Sequence, residues 1–239
     1  MIWRNQLQEN ERQKLVQRAN ECIWVDEGID AKKYLLETRG ISEEVIKTFN
    51  IGFIPLHVNH QLKGRIITPI YDVYGDLIAV STRHIYKEKA KSFWHEDFEK
   101  SFHLYGLHLA KQYILKYNKV IVVEGEFDVH YLHSCGVKFA VGLCGGAFGL
   151  IHLSLLMRYC DEIYLMFDGD NGGKSSFKHA KEIHDYVNAV ELGNRVISII
   201  PTALPNRYDP DDFLKENKIN GLVTLMKSAK SQYEQFGYV

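Results

Sequence analysis

The hydrophobic positions along the chain fall into two textures. From Trp3 to Ile23 the sequence is charged and glutamine-rich, with Leu7, Leu15, Val16, Ala19, Cys22 and Ile23 at roughly helical spacing. That pattern predicts an amphipathic helix. A second helix over Asp30–Thr38 stops at Gly40, a left-handed C-terminal cap. Ser42 starts a third, with Glu43 and Glu44 in the first turn where the helix dipole favours them. Ile51–Pro55 closes this helical part. Arg65–Asp72 and Asp76–Ser81 are β-rich runs around the short turn Val73-Tyr74-Gly75, so a hairpin is expected. Residues 86–103 are irregular and charged, and Leu104–Lys116 reads as a helix.

Beyond residue 117 the pattern alternates. Val120–Val123, Phe139–Gly142, Glu162–Phe167 and Arg195–Ile200 are strand-like. Helical segments follow the first three, over about Phe127–Ser134, Ala147–Tyr159 and Lys174–Leu192. Strand–helix repetition at this spacing predicts βαβ units, and hence an α/β fold with a parallel sheet covered on both faces.

The length of 239 residues admits one large domain or two small ones. The change of texture places the division between 1–117, a smaller mixed α+β subdomain, and 118–239. A composition of 46% hydrophobic and 25% charged residues excludes disorder as the main state. No run of about 18 apolar residues exists, so no membrane span is expected. The N-terminus lacks a basic flank followed by an apolar core, so a cytoplasmic protein is expected. Cys22, Cys135, Cys144 and Cys160 show no paired spacing, which speaks against a zinc ribbon and assigns each thiol to the core.

The net charge of −1 hides a local contrast. Arg83, His84, Lys87, Lys89 and Lys91 are crowded together, whereas Asp168, Asp170, Asp209, Asp211 and Asp212 lie downstream. A basic patch and an acidic cluster suit a polyphosphate or nucleic-acid substrate bridged by metal ions; two solvated faces are the plain alternative.

Ligands of parallel sheets bind beyond the carboxyl ends of the strands. Here those ends carry acids: Glu124-Gly125-Glu126-Phe127-Asp128 after the first strand, Asp168-Gly169-Asp170 after the third, and Asp209-Pro210-Asp211-Asp212 after the fourth. Residues i and i+2 of an extended segment face the same side, so Asp168 and Asp170 present two carboxylates together. Crowded carboxylates repel unless cations or protons relieve them, and hard oxygen ligands suit Mg²⁺ or Mn²⁺. A single D-x-D is usually a turn or a cap. Three acidic clusters at successive strand ends are much less often accidental.

The order Glu124-Gly125-x-x-Asp128, Asp168-x-Asp170, Asp209-Pro-Asp211 resembles the TOPRIM domain of bacterial-type primases, topoisomerases and some nucleases. Upstream, several stretches resemble the catalytic core of DnaG-type primases in particular. They are Tyr34-Leu35…Arg39-Gly40-Ile41-Ser42, Phe49–Phe53, Gly64-Arg65-Ile66…Pro69-Ile70…Asp72…Gly75 leading to Arg83, and Leu104-Tyr105-Gly106-Leu107…Ala110-Lys111. The resemblance covers about residues 30–225. It implies a TOPRIM-type parallel sheet with helices on both faces, preceded by the smaller α+β subdomain and followed by C-terminal helices. It implies Glu124, Asp168 and Asp170 as the central catalytic acids, with Asp128, Asp209 and Asp211 as further metal-holding positions. Arg65, Arg83, Lys91 and Lys100 match basic positions that meet template and nucleotide phosphates.

The implied activity is RNA primer synthesis on single-stranded DNA from ribonucleoside triphosphates, with Mg²⁺ or Mn²⁺ as cofactor. The family's zinc-binding and helicase-engaging domains have no counterpart in the pattern. A replicative helicase or a separate zinc-binding protein is therefore an expected partner, and a phage or plasmid replication system an expected setting. Two other readings stay open: a TOPRIM nuclease or topoisomerase-like enzyme, and a non-catalytic single-strand-binding module. The acids argue against the last, since a pure binder gains nothing from repelling phosphates.

Other residues take structural explanations as readily as functional ones. His130 and His133 sit three apart on a helix without a third ligand. Phe93 and Trp94 either stack on bases or pin an irregular loop. Gly145-Gly146 either cradles a phosphate or makes a tight turn. Asn171–Ser175 lacks the leading glycine of a P-loop, which excludes an ATPase reading.

Overall fold

The structure is a computed structural model that describes residues 2–86, 92–93, 98–169, 178, 180–185, 196–205 and 208–236. The chain divides into two compact units, Met1–Phe98 and Glu99–Val239.

The first unit opens with α1 (Ile2–Cys22), whose buried face carries Val16 and Ala19. These pack with Ile54, Ile67, Leu77 and Val80 of the sheet beside it and with Leu62 of the turn before its second strand. Arg12 ties the helix to that sheet by donating to the carbonyls of Leu77 and Ile78, and Asn20 Nδ2 donates to Ile51 O at 3.0 Å. After α2 (Ile29–Lys33) and a π turn over Tyr34–Thr38, Gly40 takes φ +68°. The Ile41 N–H then bonds Leu35 O at 2.9 Å, closing the helix as the glycine predicts. Ser42 caps α3 (Glu43–Thr48) by accepting from Val45 N.

Gly52–Ile54, expected as the end of the helical part, is a strand, β1. It pairs antiparallel with β2 (Arg65–Tyr71), which pairs with β3 (Leu77–His84) as the expected hairpin, and β3 pairs with β4 (Ser92–Phe93). The hairpin turn is held by Asp72, whose carboxylate accepts from the backbone N–H groups of Tyr74, Gly75 and Asp76. β1 escaped the pattern because three residues show no period. A glycine makes its position possible: a Cβ at Gly52 would stand 2.4 Å from the backbone of Ala19 in α1.

The second unit contains α4 (Leu107–Tyr117), β5 (Lys119–Val123), α5 (Glu126–Ser134), β6 (Ala140–Gly142), α6 (Leu150–Leu156), β7 (Glu162–Leu165), β8 (Ser198–Pro201) and α7 (Pro210–Phe236). The last bends at Lys218, which lies outside helical geometry. Of the expected helix over 174–192, the described residues 178 and 180–185 are helical. All strand pairs are parallel, in the order β6-β5-β7-β8. Val120–Val123 are fully buried, as a strand covered on both faces requires.

The division at 98/99 corrects the boundary expected at 117. α4 packs on β5 and β6, and the 3-10 turn Lys100–Phe102 packs on α6. Tyr105 forms a two-bond antiparallel bridge with Gly142 at 2.8 and 3.1 Å. The segment from 99 to 117 thus shares the core of the parallel sheet, which a change in hydrophobic texture does not reveal. No helix among the described residues is long and apolar enough to cross a membrane.

Candidate metal centre

In the order β6-β5-β7-β8, the chain leaves β5 toward one side and returns to β7 on the other. This places a crevice at the carboxyl ends of β5 and β7, the usual ligand position in open α/β sheets. Val122 is in register with Leu165, and Met166 N extends the ladder to Val122 O at 2.9 Å. Glu124 therefore directly follows β5 and Asp168 comes three residues after the end of β7, on adjacent strands spaced by about 4.8 Å. Both side chains are half-buried, and Glu124 Oε1 and Asp168 Oδ1 are shielded from solvent. Gly169 N donates to Tyr208 O at 2.8 Å, tying the loop after β7 to the start of α7. Asp170, expected beside Asp168, lies outside the described residues.

A second set of carboxylates converges where α5 and α7 begin. Asp128 sits at the third position of α5 and accepts from Gly125 N at 3.1 Å. The glycine matters here, because a Cβ at 125 would stand 2.6 Å from Asp128 Oδ2. Asp209 caps α7 by accepting from Asp212 N at 2.8 Å, and Pro210 takes the first helical position, where it suits a helix start. Asp211 follows, 1% exposed. One oxygen from each of Asp128, Asp209 and Asp211 lies within 4.8 Å of the others. The positive ends of two helices favour negative charge there. Helix dipoles do not remove the mutual repulsion of three carboxylates, and a hard divalent cation does.

Lys215 stands beside this triad, 3.2 Å from Asp211 Oδ2 and 3.2 Å from Asp212 Oδ1. Burial works against its charge, yet its bonded carboxylates hold the ammonium above the ordinary lysine range. Its Nζ also lies 5.5 Å from the centre of the Tyr131 ring. The Tyr131 hydroxyl is pushed up to about 12, first by burial, then by Cys135 and the charge of Asp211.

Of the expected cations, Lys100 belongs to the same unit. It begins the 3-10 turn beside the turn after β6, where a Cβ at Gly146 would stand 3.9 Å from the Lys100 Cβ. Its carbonyl faces buried His152 Nε2 at 3.4 Å, while His152 Nδ1 accepts from Gly149 N. Arg65 and Arg83 belong to the first unit. Arg65 pairs with His84 across the hairpin and donates to Thr82 Oγ1 at 3.0 Å, whereas Arg83 pairs with Ile66 and is exposed. Paired residues share a face and successive residues alternate, so the two arginines project from opposite faces of the sheet. Lys91 and Trp94 lie outside the described residues, as does the Phe93 side chain.

The two histidines of α5 are engaged by protein groups. His130 Nε2 meets the buried Tyr105 hydroxyl at 2.6 Å, and His133 Nε2 donates to Ala140 O at 3.0 Å. Cys144 and Gly145 both take positive φ, so the Gly145-Gly146 segment is a tight turn.

Residues 118–198 match the Toprim domain family. The DNA primase of Aquifex aeolicus is 28% identical over 238 residues, covering 86% of this chain and 46% of the relative. The DNA primase of Helicobacter pylori strain J99 is 32% identical over 225 residues, covering 78% and 38%. The crystal structure of the zinc-binding and RNA polymerase domains of the A. aeolicus primase superposes with a TM-score of 0.72 at 25% identity, over 89% of this chain and 59% of that one. A DnaG catalytic core superposes with a TM-score of 0.80 at 24% identity, over 92% and 79%, a likeness of fold. The chain carries a Toprim domain and is similar over most of its length to DnaG-type primase cores.

The chain spans less than half the length of the curated relatives it matches. Two residues beside the acids have surroundings that the motif pattern did not reveal. Glu126 stands inside the first acidic motif and is 2% exposed. Lys215 carried a readable signal, since a lysine four residues after Asp211 on a helix shares its face.

Proposed function

We propose that this chain is a primase core that synthesises short RNA primers on single-stranded DNA by divalent-metal nucleotidyl transfer. The observation that carries the reading is the convergence of Asp128, Asp209 and Asp211 within 4.8 Å, in the unit whose central strands are followed by Glu124 and Asp168. A 3′-hydroxyl attacks the α-phosphate of an incoming ribonucleoside triphosphate, the bond to the bridging oxygen breaks, and pyrophosphate leaves. An all-oxygen carboxylate donor set fits Mg²⁺ or Mn²⁺, with Asp168 and Glu124 as further ligands. Such an ion, when bound, neutralises phosphate charge and lowers the pKa of the attacking hydroxyl.

Glu124, partly screened from water, is placed to take the hydroxyl proton or to act as a ligand. Gly125 holds the orientation of the Asp128 carboxylate by donating its N–H to it. Lys100 supplies positive charge to the triphosphate at the rim. Arg65, Arg83 and Lys91 meet the template backbone, which gives sequence-tolerant binding that weakens with salt. A DnaG primase catalytic domain bound to single-stranded DNA shares this fold, which supports the choice of template. The proposed place of action is the cytoplasm.

The test is incubation with single-stranded DNA, labelled ribonucleotides and Mg²⁺ or Mn²⁺. Triphosphate-started products that vanish in Asp168→Ala support the reading. A shortened template without new product overturns it in favour of a nuclease.

A further inference from the structure

We propose that Lys215 is a built-in counter-ion of the carboxylate triad. It holds Asp211 while no divalent cation is bound, moves to Asp212 when one enters, and thereby sets how tightly the site takes the cation. The inference rests on the metal reading of the triad and concerns the regulation of that same site.

Three features of α7 and its neighbour argue for it. Lys215 Nζ stands 3.2 Å from a carboxylate inside the triad, Asp211, and 3.2 Å from one outside it, Asp212. The inner carboxylate side chain is 2% exposed and the outer one 57% exposed, so the ammonium bridges a buried and a solvated partner. Tyr131 of α5 offers its ring face from a second element, which keeps the ammonium at the triad's border.

The triad carries three negative charges when ionised. One ammonium removes part of the repulsion and leaves a net negative site. A divalent cation competes with that ammonium for Asp211, because like charges at one carboxylate repel. Release is cheap where a second carboxylate already lies at bonding distance: the lysine exchanges one partner for another by a small change of rotamer. The neighbouring Lys218 donates to the carbonyl of Lys215 and is the natural control for a general field effect.

The experiment measures Mn²⁺ affinity of the full chain by electron paramagnetic resonance, for wild type, Lys215→Met, Lys215→Arg and Lys218→Met. The melting temperature is recorded in chelator and in Mn²⁺ as a second readout. Lys215→Met is expected to bind Mn²⁺ about three- to tenfold tighter, the range open to a partly solvated charge pair. Its melting temperature is expected to fall in chelator and to recover with Mn²⁺. Lys215→Arg, which restores the charge, is expected to bring affinity back toward wild type. Equal or weaker binding by Lys215→Met overturns the counter-ion, and so does equal tightening by Lys218→Met. Absence of Mn²⁺ binding in wild type and variants alike overturns the metal reading itself, a result distinct from the other two.

Discussion

The antiparallel sheet of residues 1–98 and the parallel sheet of residues 99–239 treat their charged side chains in opposite ways. In the parallel sheet every strand points the same way, so the segments leaving β5, β7 and β8 emerge at one edge. The acids at 124, 168 and 209–211 all come after strands of that sheet, although more than forty residues separate the first two. In the antiparallel sheet, direction alternates between strands and face alternates along each of them. Arg65 and Arg83, one pairing step apart across the hairpin, therefore leave by opposite faces. Topology concentrates charge in one unit and disperses it in the other. Concentrated negative charge suits a bound cation and a reacting phosphate, whereas dispersed positive charge suits contact along a polyanionic backbone.

The largest effect that tests this contrast is at the parallel sheet's rim. Asp168→Asn is expected to lower ribonucleotide incorporation by about 10²- to 10³-fold with an unchanged unfolding midpoint. A loss below tenfold would mean that the strand ends do not act together.

Next in size is a pH effect confined to the second unit. Burial pushes the His133 imidazole down to about 4, against an ordinary value of 6.5. The folded state thus favours the neutral ring, and its stabilising contribution is intact above pH 6.5 and lost as the pH falls from 6.5 toward 4. The loss is of the order of 3 kcal/mol. Denaturant midpoints measured across that window should fall in wild type and fall less in His133→Gln.

A smaller effect separates carboxylate position from backbone strain. Gly125 has φ −112° and ψ 155°, an extended conformation open to any residue, but a Cβ there would strike the Asp128 carboxylate. Gly125→Ala is expected to weaken Mn²⁺ binding about tenfold, roughly 1.4 kcal/mol, with little change in melting temperature in chelator. Equal affinity in titration calorimetry would remove Asp128 from the ligand set.

The smallest effect belongs to the antiparallel sheet. Arg83→Ala is expected to reduce the slope of log affinity for single-stranded DNA against log salt by about 0.7, one phosphate's share. Arg65, tied to Thr82, is expected to change it less. Equal changes at both positions would show that the template meets both faces of the sheet and would erase the contrast.

Much of this was legible along the chain for definite reasons. Buried parallel strands announce themselves as apolar runs, so β5 to β8 were readable, and Gly40 and Ser42 marked helix ends through backbone preference and capping chemistry. β1 was not readable, being three residues held by pairing with β2 and by the approach of Gly52 to α1. Nor was the boundary, since α4 belongs to the second unit through contacts with β5 and β6 that its own amphipathic pattern does not specify. At the site, the acids were visible as strand-end residues. The resemblance implies Asp128, Asp209 and Asp211 as metal-holding positions, but their approach to within 4.8 Å of one another depends on how α5 and α7 start beside each other.

Local chemistry is written in sequence because it depends on near neighbours: period, caps, turns and the acids that come after each strand. It was enough to determine an α/β chain with a parallel sheet and a resemblance to a DnaG-type core. How closely the carboxylates approach, which face each arginine takes and where Lys215 rests were decided only by tertiary structure. Those relations join residues distant along the chain, and strand order, register and helix packing set their separations.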